Sequence, residues 1–177
     1  MTFWPLVENQ LEPDGAATGR ALRAIDEGLR DYDGGVYGFW PLFETKALLE
    51  RLDLPPLVEE ARARIERELE YDPVLLHGDA HFRNCYFTAD GPLWADFEDA
   101  CLAPPEWDAA CLSNVARLDG GDPEHLRALG QLEIPSRERF DLLVRLRVVV
   151  GVVWVAFTRG AHPDNVRRIE WLRQNAL

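Results

Sequence analysis

The side chains of this chain that can do chemistry concentrate between Val74 and Asp108. An apolar run, Val74-Leu75-Leu76, feeds His77-Gly78-Asp79-Ala80-His81-Phe82-Arg83-Asn84, and Asp96-Phe97-Glu98 follows further along. An ionised Asp79 can accept a proton from an attacking hydroxyl. Asn84 and Asp96 offer the hard oxygen ligands that magnesium prefers. A base placed beside a hard-cation site is the outline of phosphoryl transfer.

The spacing points the same way. Protein kinases place a catalytic Asp five residues before a metal-binding Asn on one loop, with a second metal-binding Asp after a short hairpin. Asp79 and Asn84 have that offset. Cys85-Tyr86-Phe87-Thr88 and Leu93-Trp94-Ala95 read as two short strands, joined by Ala89-Asp90-Gly91-Pro92, which would fold Asp96 back beside Asn84. The string H-G-D-x-H-x-x-N, followed by D-F-E and then Pro105-Glu106-Trp107-Asp108, resembles the aminoglycoside phosphotransferase (APH) and choline kinase-like family. These are small-molecule kinases that share the protein-kinase fold. The resemblance implies Asp79 as catalytic base, Asn84 and Asp96 as Mg2+ ligands, and Asp108 as an acceptor that holds the catalytic loop from the next helix. It also implies that His77, His81 and Glu98 orient that loop, that ATP or GTP is the phosphoryl donor, and that a small-molecule hydroxyl is the acceptor. One departure is Ala103-Pro104-Pro105, where the family usually has Gly before the Pro; it bears on the turn, not on the chemistry.

Each residue alone has a plainer reading. An Asp after a glycine commonly caps a turn or helix, and a lone His is commonly a hydrogen-bonded core or loop residue. Their joint occurrence carries the argument. A Gly-Asp-x-His string is also one piece of the metallophosphoesterase pattern, but its companion Gly-Asn-His-[Asp/Glu] block is missing and only His125 and His162 remain. Asp33-Gly34-Gly35-Val36-Tyr37-Gly38 is glycine-rich, but no strand precedes it and no Lys-[Ser/Thr] follows it, so it reads as a loop after a helix and not as a phosphate cradle.

At 177 residues the chain fits one domain with a sizeable core. A formal net charge of −12 argues against nucleic acid and anionic membrane surfaces as partners and is compatible with a cationic substrate. Scattered Asp and Glu also form a solvated face, so the charge excludes more than it identifies. Cys85, Cys101 and Cys111 lack metal or redox spacing and read as reduced, buried thiols of a cytoplasmic protein. No signal-peptide pattern opens the chain, and the longest apolar run, Val148 to Phe157, is too short to span a bilayer.

The elements that must position these residues read as a helical lobe, 1–177, of mainly helical α+β class. Residues 1–8 resemble the family's hinge segment, 16–70 form a helical subregion, 73–108 the catalytic and metal-binding segment, and 109–177 a helical core. Helices are expected over 16–32, 43–50 and about 57–70, the last covering the core with Leu57, Ala61, Ile65 and Leu69. A further helix over 106–117 turns Trp107, Ala110, Cys111 and Val115 inward. Asp119 to Pro123 ends it, and Asp122-Pro123 opens the next. Pro135 to Glu138 caps a long helix through Phe157, in which the β-branched stretch from Val148 is helical by continuity with Phe140, Leu143, Val144 and Arg147. A last helix starts at Pro163 and carries Ile169, Trp171 and Leu172.

Kinases grip the nucleotide phosphates with a lysine on a strand of the N-terminal β lobe, a lobe of about a hundred residues. Lys46 is the single lysine and lies on a predicted helix after the hinge-like segment, so that clamp is expected to be absent. The expected protein is therefore the C-terminal lobe of an APH-like kinase, truncated and of reduced or no activity alone. Its rival is a non-catalytic binding module derived from such a lobe. Either would leave apolar surface where the first lobe docks, which favours a homodimer.

Overall fold

The computed structural model describes residues 12–32, 34–118 and 123–175, without the side chains of 115–117. The hinge-like segment 1–8, Asp33 and the 119–122 turn lie outside the described residues.

Helix α1 (Gly15–Leu29) begins where Asp14 accepts the Ala17 amide at 3.0 Å, an N-cap that satisfies one orphan donor of the first turn. Helix α2 (Trp40–Leu49) and helix α3 (Pro56–Glu68) both open on proline near the first helical position. Ile65 and Leu69 are buried as expected, Leu57 and Ala61 are half-buried and pack against the core, and Val58 and Arg62 join the buried face. The unexpected member is Arg62. Its stem reaches into the interior while Glu59 and Glu66, one turn before and after, take its guanidinium at 2.8 and 2.9 Å.

Strand β1 (Val74–Leu76) pairs antiparallel with β4 (Cys101–Ala103), and β2 (Cys85–Thr88) pairs antiparallel with β3 (Gly91–Trp94) in the expected hairpin. The turn closes through Gly91 at φ 114° and a 2.8 Å bond from Thr88 Oγ1 to the Gly91 carbonyl. β4 was not expected; its far side is extended by Tyr37, whose carbonyl accepts the Leu102 amide.

Helices α4 (Trp107–Leu118), α5 (Pro123–Leu129), α6 (Arg137–Arg159) and α7 (Pro163–Gln174) complete the fold. Ser136 caps α6 and Gly160, at φ 67°, ends it. Val148 to Phe157 is helical because α6 is buried on most sides. Its first half packs into a cluster with Trp107, Leu112, Phe39 and Leu22, and its valines pack with Val58 and Leu172. The fully buried Glu106 holds Arg139 through both carboxylate oxygens and accepts the Ser136 amide, locking the starts of α4 and α6 together. All three cysteines are free and buried. No helix among the described residues is long and apolar enough to cross a membrane.

Candidate active site

The chain leaves β1 into a loop gripped from behind by α4. Asp108, in the first turn of α4 and 1% exposed, accepts the amides of His77 and Gly78 at 3.0 Å each. Trp107 Nε1 donates to the Gly78 carbonyl at 2.6 Å. Gly78 sits at φ 90° with the Asp99 carbonyl where a Cβ would be, so only glycine fits between loop and β4 approach. Burial pushes the Asp108 carboxyl up to about 6, against the His77 side chain and the two amides that favour its ionised form.

His77 links this loop to the hairpin. Its Nδ1 lies 3.4 Å from the Asp79 amide nitrogen and its Nε2 2.9 Å from the Ala95 carbonyl, so one ring ties the loop to the end of the hairpin. The ring packs edge-on against Trp94 and tilted against Phe97.

Asp79 lies at the centre. Asn84 Nδ2 donates to its carbonyl at 3.0 Å and to Oδ2 at 3.2 Å, and His81 Nε2 lies 3.1 Å from Oδ2. Arg147, from the middle of α6, donates to Oδ1 at 2.5 Å. Burial works against ionisation, but Arg147, then His81 and His77, outweigh it and hold the carboxyl well below the usual carboxylate range. Asp79 is thus an aspartate at every physiological pH. Arg147 was read from the sequence only as part of a core helix; the signal that could have found it is a cation set inside an apolar helix.

The Asn84 segment is one turn of 3₁₀ helix (Phe82–Asn84), and its carbonyl accepts the Ala95 amide at 2.9 Å, which brings Asp96 alongside. Asp96 adopts the left-handed conformation, φ 63° and ψ 54°, as the one non-glycine residue at positive φ among those described. Strain of this kind in a non-glycine residue clusters at functional sites. Its carboxylate is exposed, with no hydrogen bond or ion pair to a described residue. Glu98 is exposed on the next turn, while Asp99, missed in the sequence, is half-buried near Asp79 and Arg147. Burial, then the charges of Asp79 and Glu98, push Asp99 up to about 6.

Among the described residues no group of three His, Cys, Asp or Glu side chains is arranged to hold a metal. The residues present nevertheless fit magnesium, which keeps waters and substrate phosphates and asks the protein for one or two oxygen ligands. With Asn84 Nδ2 committed to Asp79, its Oδ1 is left for a cation, and Asp96, next to the Ala95 whose amide bonds the Asn84 carbonyl, carries an exposed carboxylate. Lys46 is exposed on α2.

An Asp-bearing loop after a short strand, anchored from the following helix and packed on a helical core, defines the C-terminal lobe of the protein-kinase-like fold. The model of the APH phosphotransferase enzyme family matches residues 5–143, and the chain belongs to that family. Among solved structures, choline kinase LicA from Streptococcus pneumoniae is similar at TM-score 0.66 and 19% identity, over 91% of this chain and 62% of that one. The GDP and kanamycin complex of the aminoglycoside phosphotransferase APH(2")-IIia aligns at TM-score 0.56 and 18% identity, over 93% of this chain and 64% of that one. The chain therefore spans under two thirds of the length of these neighbours. No curated protein sequence matches it.

Proposed function

We propose that this chain carries the catalytic-loop lobe of a small-molecule kinase that transfers the γ-phosphoryl group of ATP or GTP to a hydroxyl, with little or no activity on its own. The supporting observation is the loop itself. Asp79 is fixed by Asn84, His81 and Arg147 while Asp108 holds the two preceding amides. Asp79 orients the acceptor hydroxyl and takes its proton as the phosphoryl group moves; the low basicity imposed by Arg147 suits a late proton transfer in a loose transition state. Asn84 and Asp96 would hold Mg2+, which neutralises charge on the donor phosphates. His77, His81, Glu98 and Asp108 keep loop and hairpin in register. Neighbours were crystallised with AMP and with GDP, which supports a nucleotide donor. The acidic surface suits a cationic acceptor and disfavours nucleic acid and membrane. A cytoplasmic location and a homodimer formed where a first lobe would dock complete the reading. Light scattering at tens of micromolar that shows only monomer removes the dimer.

Calorimetric titration of Mg-ATP and Mg-GTP, with hydrolysis followed in parallel, tests the reading. Binding lost in Asp96→Ala, and turnover reduced a hundredfold or more in Asp79→Ala, supports it. An unaltered chain that binds neither nucleotide favours a non-catalytic binding module.

A further inference from the structure

A cavity of about 240 Å3 lies between α1, β1, the start of α4 and the link into α6. Asp108 lines it from α4, Asp26 with Arg23, Glu27 and Arg30 from α1, and Glu133 from the link, against the apolar walls Val74 and Leu76. Asp26 Oδ1 is fully buried and has no hydrogen-bond donor. An ionised oxygen in that position is among the costliest arrangements a protein can hold. The cost disappears if the group is the acid, because a protonated carboxyl is itself a donor. Between the two acids the proton belongs on Asp26: Asp108 already accepts two amides, which stabilise its charge, and Asp26 Oδ1 accepts none.

We propose that Asp26 is held as the neutral acid and donates its proton to the Asp108 carboxylate, so that α1 braces the anchor of the loop that carries Asp79. Asp26 is then a positioning residue, two steps removed from Asp79 and in contact with neither substrate nor the candidate cation ligands. The proposal stands on the loop geometry and holds whether or not the chain transfers phosphate. The surrounding charges agree with it. Burial, then the charge of Asp108, push Asp26 up to about 9; Arg30 opposes this and Glu27 adds to it. Asp108 is faced by His77, which favours its ionised form, and by Asp79, which opposes it. The brace is complete between about pH 6, above which Asp108 is the carboxylate, and about pH 9, above which Asp26 ionises too and two buried carboxylates repel.

Nuclear magnetic resonance on the full chain reads this directly, through the Asp26 carboxyl carbon and the His77 and Gly78 amides. The expected result is an Asp26 midpoint near 9 with a step of the same midpoint in both amide resonances. Asp26→Asn, whose amide donates without titrating, keeps the neutral-pH amide positions and loses the step. Asp26→Leu displaces both amides at neutral pH while the rest of the spectrum stays folded. An Asp26 midpoint near the ordinary value of about 4, or His77 and Gly78 amides indifferent to both pH and Asp26→Leu, overturns the brace.

Discussion

Asp79 carries one of the chain's buried charges, and Arg147 is what makes that charge tolerable. Removing one partner of such a pair leaves the other uncompensated, at a cost of about 3–5 kcal/mol when fully buried. With both side chains slightly exposed (16% and 18%), Arg147→Met should lower unfolding free energy at pH 7 by about 2–3 kcal/mol in urea titrations. The Asp79 carboxyl is depressed when folded, so its contribution is present above the ordinary carboxylate range and is lost as pH falls below it. The gap between native and variant should therefore close towards about pH 2; a constant gap would show that Arg147 acts by packing alone. Asp96 gives the second test at this scale. At φ 63° a side chain with a Cβ is strained, so Asp96→Gly should exceed Asp96→Ala in stability by about 1 kcal/mol, and equal values would remove the strain argument. The residues joined by short spacing, Asp79, Asn84 and Asp96, could be picked out in the sequence because their chemistry is local. Arg147 lies 68 positions from Asp79, and nothing in its own neighbourhood names which carboxylate it serves.

At the scale of elements, periodicity placed the helices within a few residues but not always the face. In α3 the arginine at 62 enters the interior beside Ala61 because its charge is met by two glutamates on its own helix. A three-residue strand such as β4 has no period to read and exists because β1 and Tyr37 flank it. The contact between α1 and α5 was equally hidden. Gly15 and Gly19 present bare backbone to Glu124 and Ala128, and a Cβ on Gly19 would run into the Ala128 carbonyl. Glu124 also accepts the Gly15 amide at 2.8 Å. Alanine favours an isolated helix by about 1 kcal/mol over glycine, yet Gly19→Ala should destabilise this protein by about 1–3 kcal/mol through overpacking. Thermal unfolding of Gly19→Ala beside the exposed Gly28→Ala checks this, since Gly28 has open space and should gain.

For the whole molecule the balance of charge, not any one pair, sets the response to pH. Burial first, then neighbouring acids, raise Asp26 to about 9 and Asp99 to about 6, and burial raises Asp108 to about 6. In the unfolded chain the same groups ionise near 4. Folding thus takes up protons between these values, and a raised folded value means stability is greatest at the acid end and falls as pH climbs. Self-repulsion of a chain with formal charge −12 acts in the same direction, but it is a surface effect that salt screens. Below the ordinary carboxylate range the depressed Asp79 reverses the trend. The midpoint of thermal unfolding should therefore peak near pH 4–5 and fall by roughly 5–10 °C by pH 9, a few kcal/mol for a chain of this size. About 0.5 M salt should remove only part of the fall, and Asp26→Asn should remove most of what salt leaves above pH 6. A flat profile in high salt would mean that these acids ionise in the folded protein as freely as in the unfolded one, and would overturn their raised values.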